Sequence, residues 1–247
     1  MADHGRGTAL ASSAVLWLLA VLLCVDVAFI AMHVAKPYFE VLRPHHFSLE
    51  ADRGLSEYYQ YLKQAAVVVA MLWCWRRTAS PSFFVWSLFF AFMLYDDSHA
   101  VHEQIGETLA SAWALPASFG LRPRDVGEIL FVLAVGVVTL AVLVVVSVRE
   151  RGVAIVPTVN VLLLLAALAI CGVLVDAIHV VAYFSGSRLA WLLTVIEDGG
   201  ELMVMSVIVA YAWQLAAHGL RARWHLPRSS DLARLLSGRV TTYEAIS

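Results

Sequence analysis

The stretch FMLYDDSHAVHEQIGE (residues 92–107) closes an apolar run long enough to cross a bilayer, yet its last twelve residues hold two aspartates, two histidines and two glutamates. Ionisable groups are costly in hydrocarbon, and where they persist there they mark a site or a path. The surrounding composition says that hydrocarbon is the solvent. Of 247 residues, 61% are hydrophobic and only 15% charged, with a mean hydropathy of +0.77. A soluble domain would carry roughly 25% charged residues. The expectation is an all-α polytopic membrane protein. A formal net charge of −2 and the lack of any basic run or nucleic-acid motif exclude a nucleic-acid partner. Cys24, Cys74 and Cys171 lie in apolar runs at unrelated spacings, so they read as buried thiols, neither a disulfide framework nor a zinc site.

Working outward from this stretch, a hydrocarbon core of about 30 Å needs about 20 apolar residues per helix. Six segments qualify: 10–34, 58–75, 82–104, 125–148, 154–184 and 188–217. They predict a six-helix transmembrane bundle over 10–217, with a short N-terminal segment 1–9, an outer connection 35–57 and a basic tail 218–247. The first segment follows Arg6 but shows no small-x-small cleavage site, so a retained helix is expected. Ser80-Pro81 and Ser187 are placed to start the third and sixth helices, and Ser56 precedes the second. In the tail, Ser230 or Asp231 is positioned to cap a short surface helix, and the tail arginines can lean on anionic lipid.

Lys and Arg set the direction. Arg6, Arg76, Arg77, Arg149, Arg151, Arg221, Arg223, Arg228, Arg234 and Arg239 fall on one side, ten in all. Lys36, Arg43, Arg53, Lys63, Arg122, Arg124 and Arg188 fall on the other, seven in all. The ten place both termini in the cytoplasm of a cell whose inner membrane holds the protein.

With that direction the polar residues within the spans sort by depth. The first span has Asp26 and His33; the third Asp96, Asp97, His99, His102 and Glu103; the fourth Glu128; the fifth Asp176 and His179; the sixth Glu197, Asp198 and Glu201. All fall in the outer half or near the midplane. On a continuous helix Asp96, His99, His102 and Glu103 share one face and Asp97 points elsewhere. Asp176 and His179 are i, i+3, and Glu197 and Glu201 are i, i+4.

Five such carboxylates left unpaired would cost on the order of 12–17 kcal/mol. No Lys or Arg lies at this depth in the third to sixth spans, so imidazolium, protons or a bound cation must compensate. Oxygen and imidazole without thiolate suit zinc, iron or manganese, and helix bundles build metal sites in this way. The candidate ligands are Asp96, His102, Glu103, Glu128, Asp176, His179, Glu197 and Glu201. Asp97 and Asp198 are candidates to orient a histidine or take part in catalysis. A divalent metal with an open position would activate water against a lipid-borne substrate, and two metals sharing carboxylates would suit oxygen chemistry. The rival expectations are a proton- or cation-coupled transporter that uses the same carboxylates and unwinds at Gly199-Gly200, and a non-catalytic membrane subunit with a structural polar core. The apolar inner halves VWSLFFAF (85–92) and LAVGVVTLAVLVVV (133–146) offer a transporter no stepping stones.

LYDDSHAVHEQIG (94–106) resembles the D-[DE]-x4-H-E segment of an uncharacterised family of multi-pass membrane proteins in bacteria and archaea. The likeness extends to FSLEADRGLSEYYQYLK (47–63), RDVGEILF (124–131), LVDAIH (174–179) and IEDGGELMVMS (196–206). It implies architecture without an activity, and it points at Asp96, Asp97, His102, Glu103, Glu128, Asp176, His179, Glu197, Asp198 and Glu201. His99 occupies a position that the pattern leaves open. Ser98-x3-His102 with a later Asp and His is also similar to the membrane hydrolases that include alkaline ceramidases. Those have seven helices and a late HxxxH, where this chain has six segments and no HxxxH.

Overall fold

The apolar residues at helical spacing decide which faces meet. A computed structural model of the protein is all-α and describes residues 2–42, 45–51, 53–150, 154–187 and 189–218. The basic tail, Arg43, Arg151 and Arg188 lie outside the described residues, as do the caps expected at Ser230 or Asp231. The helices are α1 (Ala2–Ala35), α2 (Leu55–Thr78), α3 (Pro81–His99), α4 (Val101–Ala112), α5 (Pro123–Arg149), α6 (Ile155–Ala169), α7 (Asp176–Phe184) and α8 (Ala190–His218). A π-helical segment, Ile170–Val175, joins α6 to α7, so that Ile155–Phe184 runs as one rod.

The core lies where α2, α3 and α8 meet. Val67, Met71 and Cys74 form one face of α2, Phe83, Trp86 and Phe90 one face of α3, and Met205, Ile208, Ala212 and Leu215 one face of α8. Each set recurs every three or four residues, the spacing that puts side chains on one side of a helix. Helix α1 packs on α8, and α4 packs on α5. The α4–α5 crossing is close because Gly106 and Gly127 face each other: a Cβ on Gly127 would fall on the Gly106 backbone.

Helix ends follow local rules. Ala79, in the left-handed region (φ 53), ends α2 behind Arg76 and Arg77, which suit the negative end of its dipole. Pro81 opens α3 at its first position. Ser80 sits at the cap position, but its hydroxyl donates to Glu150 (2.5 Å). Glu150 also accepts from the Ser82 backbone N–H (2.6 Å) and hydroxyl (2.9 Å), so an acid beyond α5 caps α3. The Ser187 hydroxyl accepts from the Leu189 N–H (3.2 Å) just ahead of α8. Ser56 stands inside α2 rather than before it, and Gly54 is the cap residue.

Among the described residues three helical stretches are long and apolar enough to cross a bilayer: Ser13–Ala35, Pro123–Arg149 and Ile155–Phe184. Leu133, Val137, Leu140, Val144 and Val148 run exposed down one side of α5, a continuous apolar surface of the kind that marks a lipid or protein interface. Helices α2, α3 and α8 turn their apolar faces inward and carry more polar residues. The thiols differ from expectation: Cys74 is buried, but Cys171 is half-buried and Cys24 lies on the outward side of α1.

A second difference concerns Lys63. It is not a charge of the outer side but a buried group in α2. Its Nζ donates to Asp26 (3.1 Å), to the Leu202 carbonyl (2.8 Å) and to Ser206 Oγ (3.4 Å). The Ser206 hydroxyl donates to the other Asp26 oxygen (2.6 Å). Side-chain exposure is 2% for Lys63 and 0% for Asp26, so α1, α2 and α8 are joined by an ion pair shut away from solvent. Removing one partner of such a pair strands the other charge. Lys63→Met is therefore expected to lower stability by about 3–5 kcal/mol. Detergent-solubilised protein should show this on chemical unfolding, and adding Asp26→Leu should restore most of the loss.

Candidate metal centre

Two irregularities in the helices assemble the polar residues. The first is Ala100, left-handed at φ 50, which ends α3 and starts α4. The helix expected to run unbroken through residue 104 changes direction there. Asp96 then reaches across the break: it accepts from the His102 backbone N–H (2.7 Å), capping α4, and stands 3.2 Å from His102 Nδ1. The break also revises the faces drawn on a straight helix, because Asp97 joins Asp96 and His102 in one grouping with donor atoms within 4.8 Å of one another. His99 leaves the group and stacks on Tyr95.

The second irregularity is the π segment. It ends at Asp176, and with His179 and Glu197 that carboxylate forms a second grouping within 4.8 Å. His179 Nδ1 lies 2.7 Å from Glu197 Oε2, and its Nε2 lies 3.2 Å from the Thr194 hydroxyl. Asp176 and Glu197 each bring a carboxylate oxygen to that grouping, within 4.8 Å of one another. Two carboxylates that close repel each other unless a proton or a cation lies between them.

Glu201 sits between the groupings. It lies within charge–charge range of Asp97 and His102 on one side and of Asp176 and Asp198 on the other. Gly172 in the π segment makes its place, since a Cβ there would fall on the Glu201 carboxylate. Gly200 does the same for Cys171, whose Sγ would lie 2.7 Å from an added Cβ. Helix α8 stays continuous through Gly199-Gly200, with Gly199 against Ile30 of α1. The pair serves close approach of helices. Asp198 belongs to neither grouping and faces the charges of Glu50 and Asp176.

Glu103 and Glu128 belong to neither grouping, although Glu128 lies within charge range of His102 and Asp176. Arg124, at the start of α5, donates to Glu103 Oε2 (2.5 Å) and Glu128 Oε1 (2.6 Å) and so ties α4 to α5. The expectation of no Lys or Arg at this depth concerned the third to sixth spans; basic partners for Asp26, Glu103 and Glu128 come from outside those bounds, from Lys63 on the second span and from Arg124 just ahead of the fourth. Among the described residues no Lys or Arg forms an ion pair with Asp96, Asp97, Asp176, Glu197, Asp198 or Glu201.

Sequence reasoning missed the contribution of α2. Gln64 Nε2 donates to the Asp97 carboxylate, and the Tyr61 hydroxyl reaches both the Asp97 carbonyl (3.1 Å) and the Glu57 carboxylate. The available signal was a run of polar residues, Glu57, Gln60, Tyr61, Lys63 and Gln64, inside a helix whose composition is otherwise apolar. Each acid–histidine grouping offers two carboxylates and one imidazole. Three hard or borderline donors with room for water suit zinc, iron or manganese.

A family model described as Domain of unknown function (DUF8692) matches residues 15–215, and the chain belongs to that family. No curated protein and no solved structure matches it. The matched region contains every residue of both groupings. Because Gly172 and Glu201 share one space, Gly172→Ala is expected to cost about 1–3 kcal/mol of overpacking. Unfolding measured in detergent with a chelator present should give that loss, and Glu201→Ala combined with it should be clearly less than additive.

Proposed function

We propose that this member of the family is a six-span inner-membrane protein whose outer half holds a divalent metal, and that it hydrolyses a lipid-borne substrate there. Support for six spans comes from length and packing. Helices α2, α3 and α8 have 24, 19 and 29 residues, enough to reach across the hydrocarbon at 1.5 Å per residue. Their neighbours are the three stretches long and apolar enough to cross a bilayer, packed as α1 on α8, α5 on α3 and α6 on α8. Support for the direction comes from the clustering of Arg76, Arg77 and Arg149 at one end, where Arg77 also donates to the Ala216 carbonyl near the end of α8 (3.0 Å). Both termini then lie in the cytoplasm and the site faces the outer side.

One observation carries the metal reading. Asp176, His179 and Glu197 each bring a donor atom within 4.8 Å of the other two, His179 Nδ1 lying 2.7 Å from Glu197, with no Lys or Arg paired to the acids among the described residues. A divalent cation satisfies all three at once. The Asp96, Asp97 and His102 grouping offers a second set, and Glu201 lies between. In this reading Asp97, His102, Asp176, His179, Glu197 and Glu201 are ligands, and Asp96 is one through the oxygen not spent on α4. Glu103 and Glu128, held by Arg124, act on the ligands through helix position. A bound metal would supply a Lewis acid and a hydroxide at neutral pH. Asp198, outside both groupings but within charge range of Asp176, is the residue we assign to accept the proton of that water. Two metals joined through Glu201 would favour iron or manganese and oxygen chemistry in place of hydrolysis.

A transporter is the second reading, and one observation favours it. The inner half is less bare than the sequence suggests. Asn160 donates to the Tyr211 hydroxyl (2.8 Å), Trp86 donates to Thr158 (3.4 Å), and Gln214 is buried beside them on α8. Cation uptake into sealed proteoliposomes would support that reading over the enzyme.

The deciding measurement is elemental analysis of protein purified in mild detergent. At least one equivalent of zinc, iron or manganese per chain is expected, falling several-fold in His102→Ala and His179→Ala. A well-folded protein with no metal, unable to take any up, would overturn the metal reading.

A further inference from the structure

Four buried side-chain atoms lack a hydrogen-bond partner among the described residues, and three of them stand on α2: Ser56 Oγ, Gln60 Oε1 and Gln64 Oε1. The fourth is Gln214 Oε1 on α8. The three on α2 are spaced i, i+4, i+8, so they line one face with a rise of about 6 Å per step and roughly 12 Å in all. Natural proteins leave few buried acceptors unmet, and each such atom asks for an explanation. A stripe of three has one cause more readily than three.

Both ends of the stripe meet acids. At the start, Glu57 adjoins Ser56 and accepts from the Tyr61 hydroxyl. At the far end Gln64, only 1% exposed, holds the Asp97 carboxylate through its Nε2. Glu57 itself lies within charge range of Asp97. The unmet atoms are all oxygens. An anion would be repelled by these oxygens and by the acids beyond them. An apolar group would leave them unmet. A hydroxyl and two amide carbonyls are what a hard cation accepts in place of its hydration waters.

We propose that the Ser56–Gln60–Gln64 face of α2 is the access path of a divalent cation to Asp97, and that the Gln64 carbonyl oxygen is a ligand at its inner end. The amide already reaches Asp97 through its nitrogen. With a cation on that carboxylate, the amide turns its oxygen toward the ion and exchanges one hydrogen bond for an ion contact. The path begins at the outer end of α2, the side on which the metal centre opens. This inference rests on the metal centre proposed above and adds to it a route and a neutral ligand.

The test uses the full chain in detergent, stripped of metal by a chelator, with Mn2+ or Co2+ as the probe. Free Mn2+ read by electron paramagnetic resonance gives affinity, and Co2+ absorbance in stopped flow gives the rate. Gln60→Leu should slow binding about tenfold and leave affinity unchanged, whereas Gln64→Leu should weaken affinity about tenfold. Gln64→Glu, which keeps an oxygen at that place, should restore or tighten it. Gln60→Leu removes an unmet acceptor, so its thermal midpoint should hold or rise, whereas Gln64→Leu also takes the amide donor from Asp97 and should lower it. If Gln64→Leu does not fold, Gln64→Met supplies the same chain length without an oxygen. Variants that bind as fast and as tightly as the parent overturn the path and leave the metal centre standing. A parent chain that binds neither ion overturns the metal centre and the path together.

Discussion

A carboxylate enclosed by apolar helices has to be given a counter-charge or a proton, and this protein supplies that need in two different ways. Asp26 is matched by Lys63 and Ser206, and Glu103 and Glu128 are matched by Arg124. These acids are finished as structure: they fasten α1 to α2 and α8, and α4 to α5. Asp97, Asp176, Glu197, Asp198 and Glu201 form no ion pair with Lys or Arg among the described residues, although Lys63 lies within charge range of Glu201. They lie within charge range of one another, which concentrates negative potential at one level of the fold. The division separates groups that hold the bundle together from groups available to a ligand.

The second set could not converge if the helices were regular. A straight helix through residue 104 would send Asp97 away from His102. The left-handed turn at Ala100 brings them together, and the carboxylate of Asp96 stabilises the turn by capping the helix it starts. A regular helix through 170–175 would likewise set Asp176 differently against α8. The π turn inserts its extra residue there, and Gly172 within it leaves the space that Glu201 fills. Such turns are less stable than the α-helix they interrupt and recur at functional sites. Both irregularities fall next to the acids without basic partners, and the long apolar stretches of α5 and α6 have none.

Helix α2 gives the arrangement its asymmetry. Its inner part, Val67 to Cys74, belongs to the core against α3 and α8. Its first three turns carry Glu57, Gln60, Tyr61, Lys63 and Gln64, which serve the ion pair on one side and Asp97 on the other. One helix thus connects the structural acids to the available ones. This explains why its polar residues are amides and hydroxyls as well as charges, since a neutral donor can orient a carboxylate without neutralising it.

The all-α class of the protein and its long apolar helices are legible in the residues alone. Apolar runs and helical spacing need no partner to be read, because hydrocarbon length and the 3.6-residue period are local constraints. Five of the six expected helices lie close to where the spacing put them. Which of the acids keep company was not legible. Arg124 looked like an outer-side charge until α4 folded back along α5 and brought Glu103 to it. Lys63 looked the same until α1 and α8 closed over it. A salt bridge between residues 37 positions apart, such as Lys63 with Asp26, leaves no periodic trace in the chain. The break at Ala100 and the π turn at Ile170–Val175 are equally silent, for alanine and a run of Ile, Cys, Gly, Val and Leu all permit an ordinary helix. Only the packing of neighbouring helices, which rewards a displaced carboxylate with a cap or a pocket, made those departures the lower-energy choice.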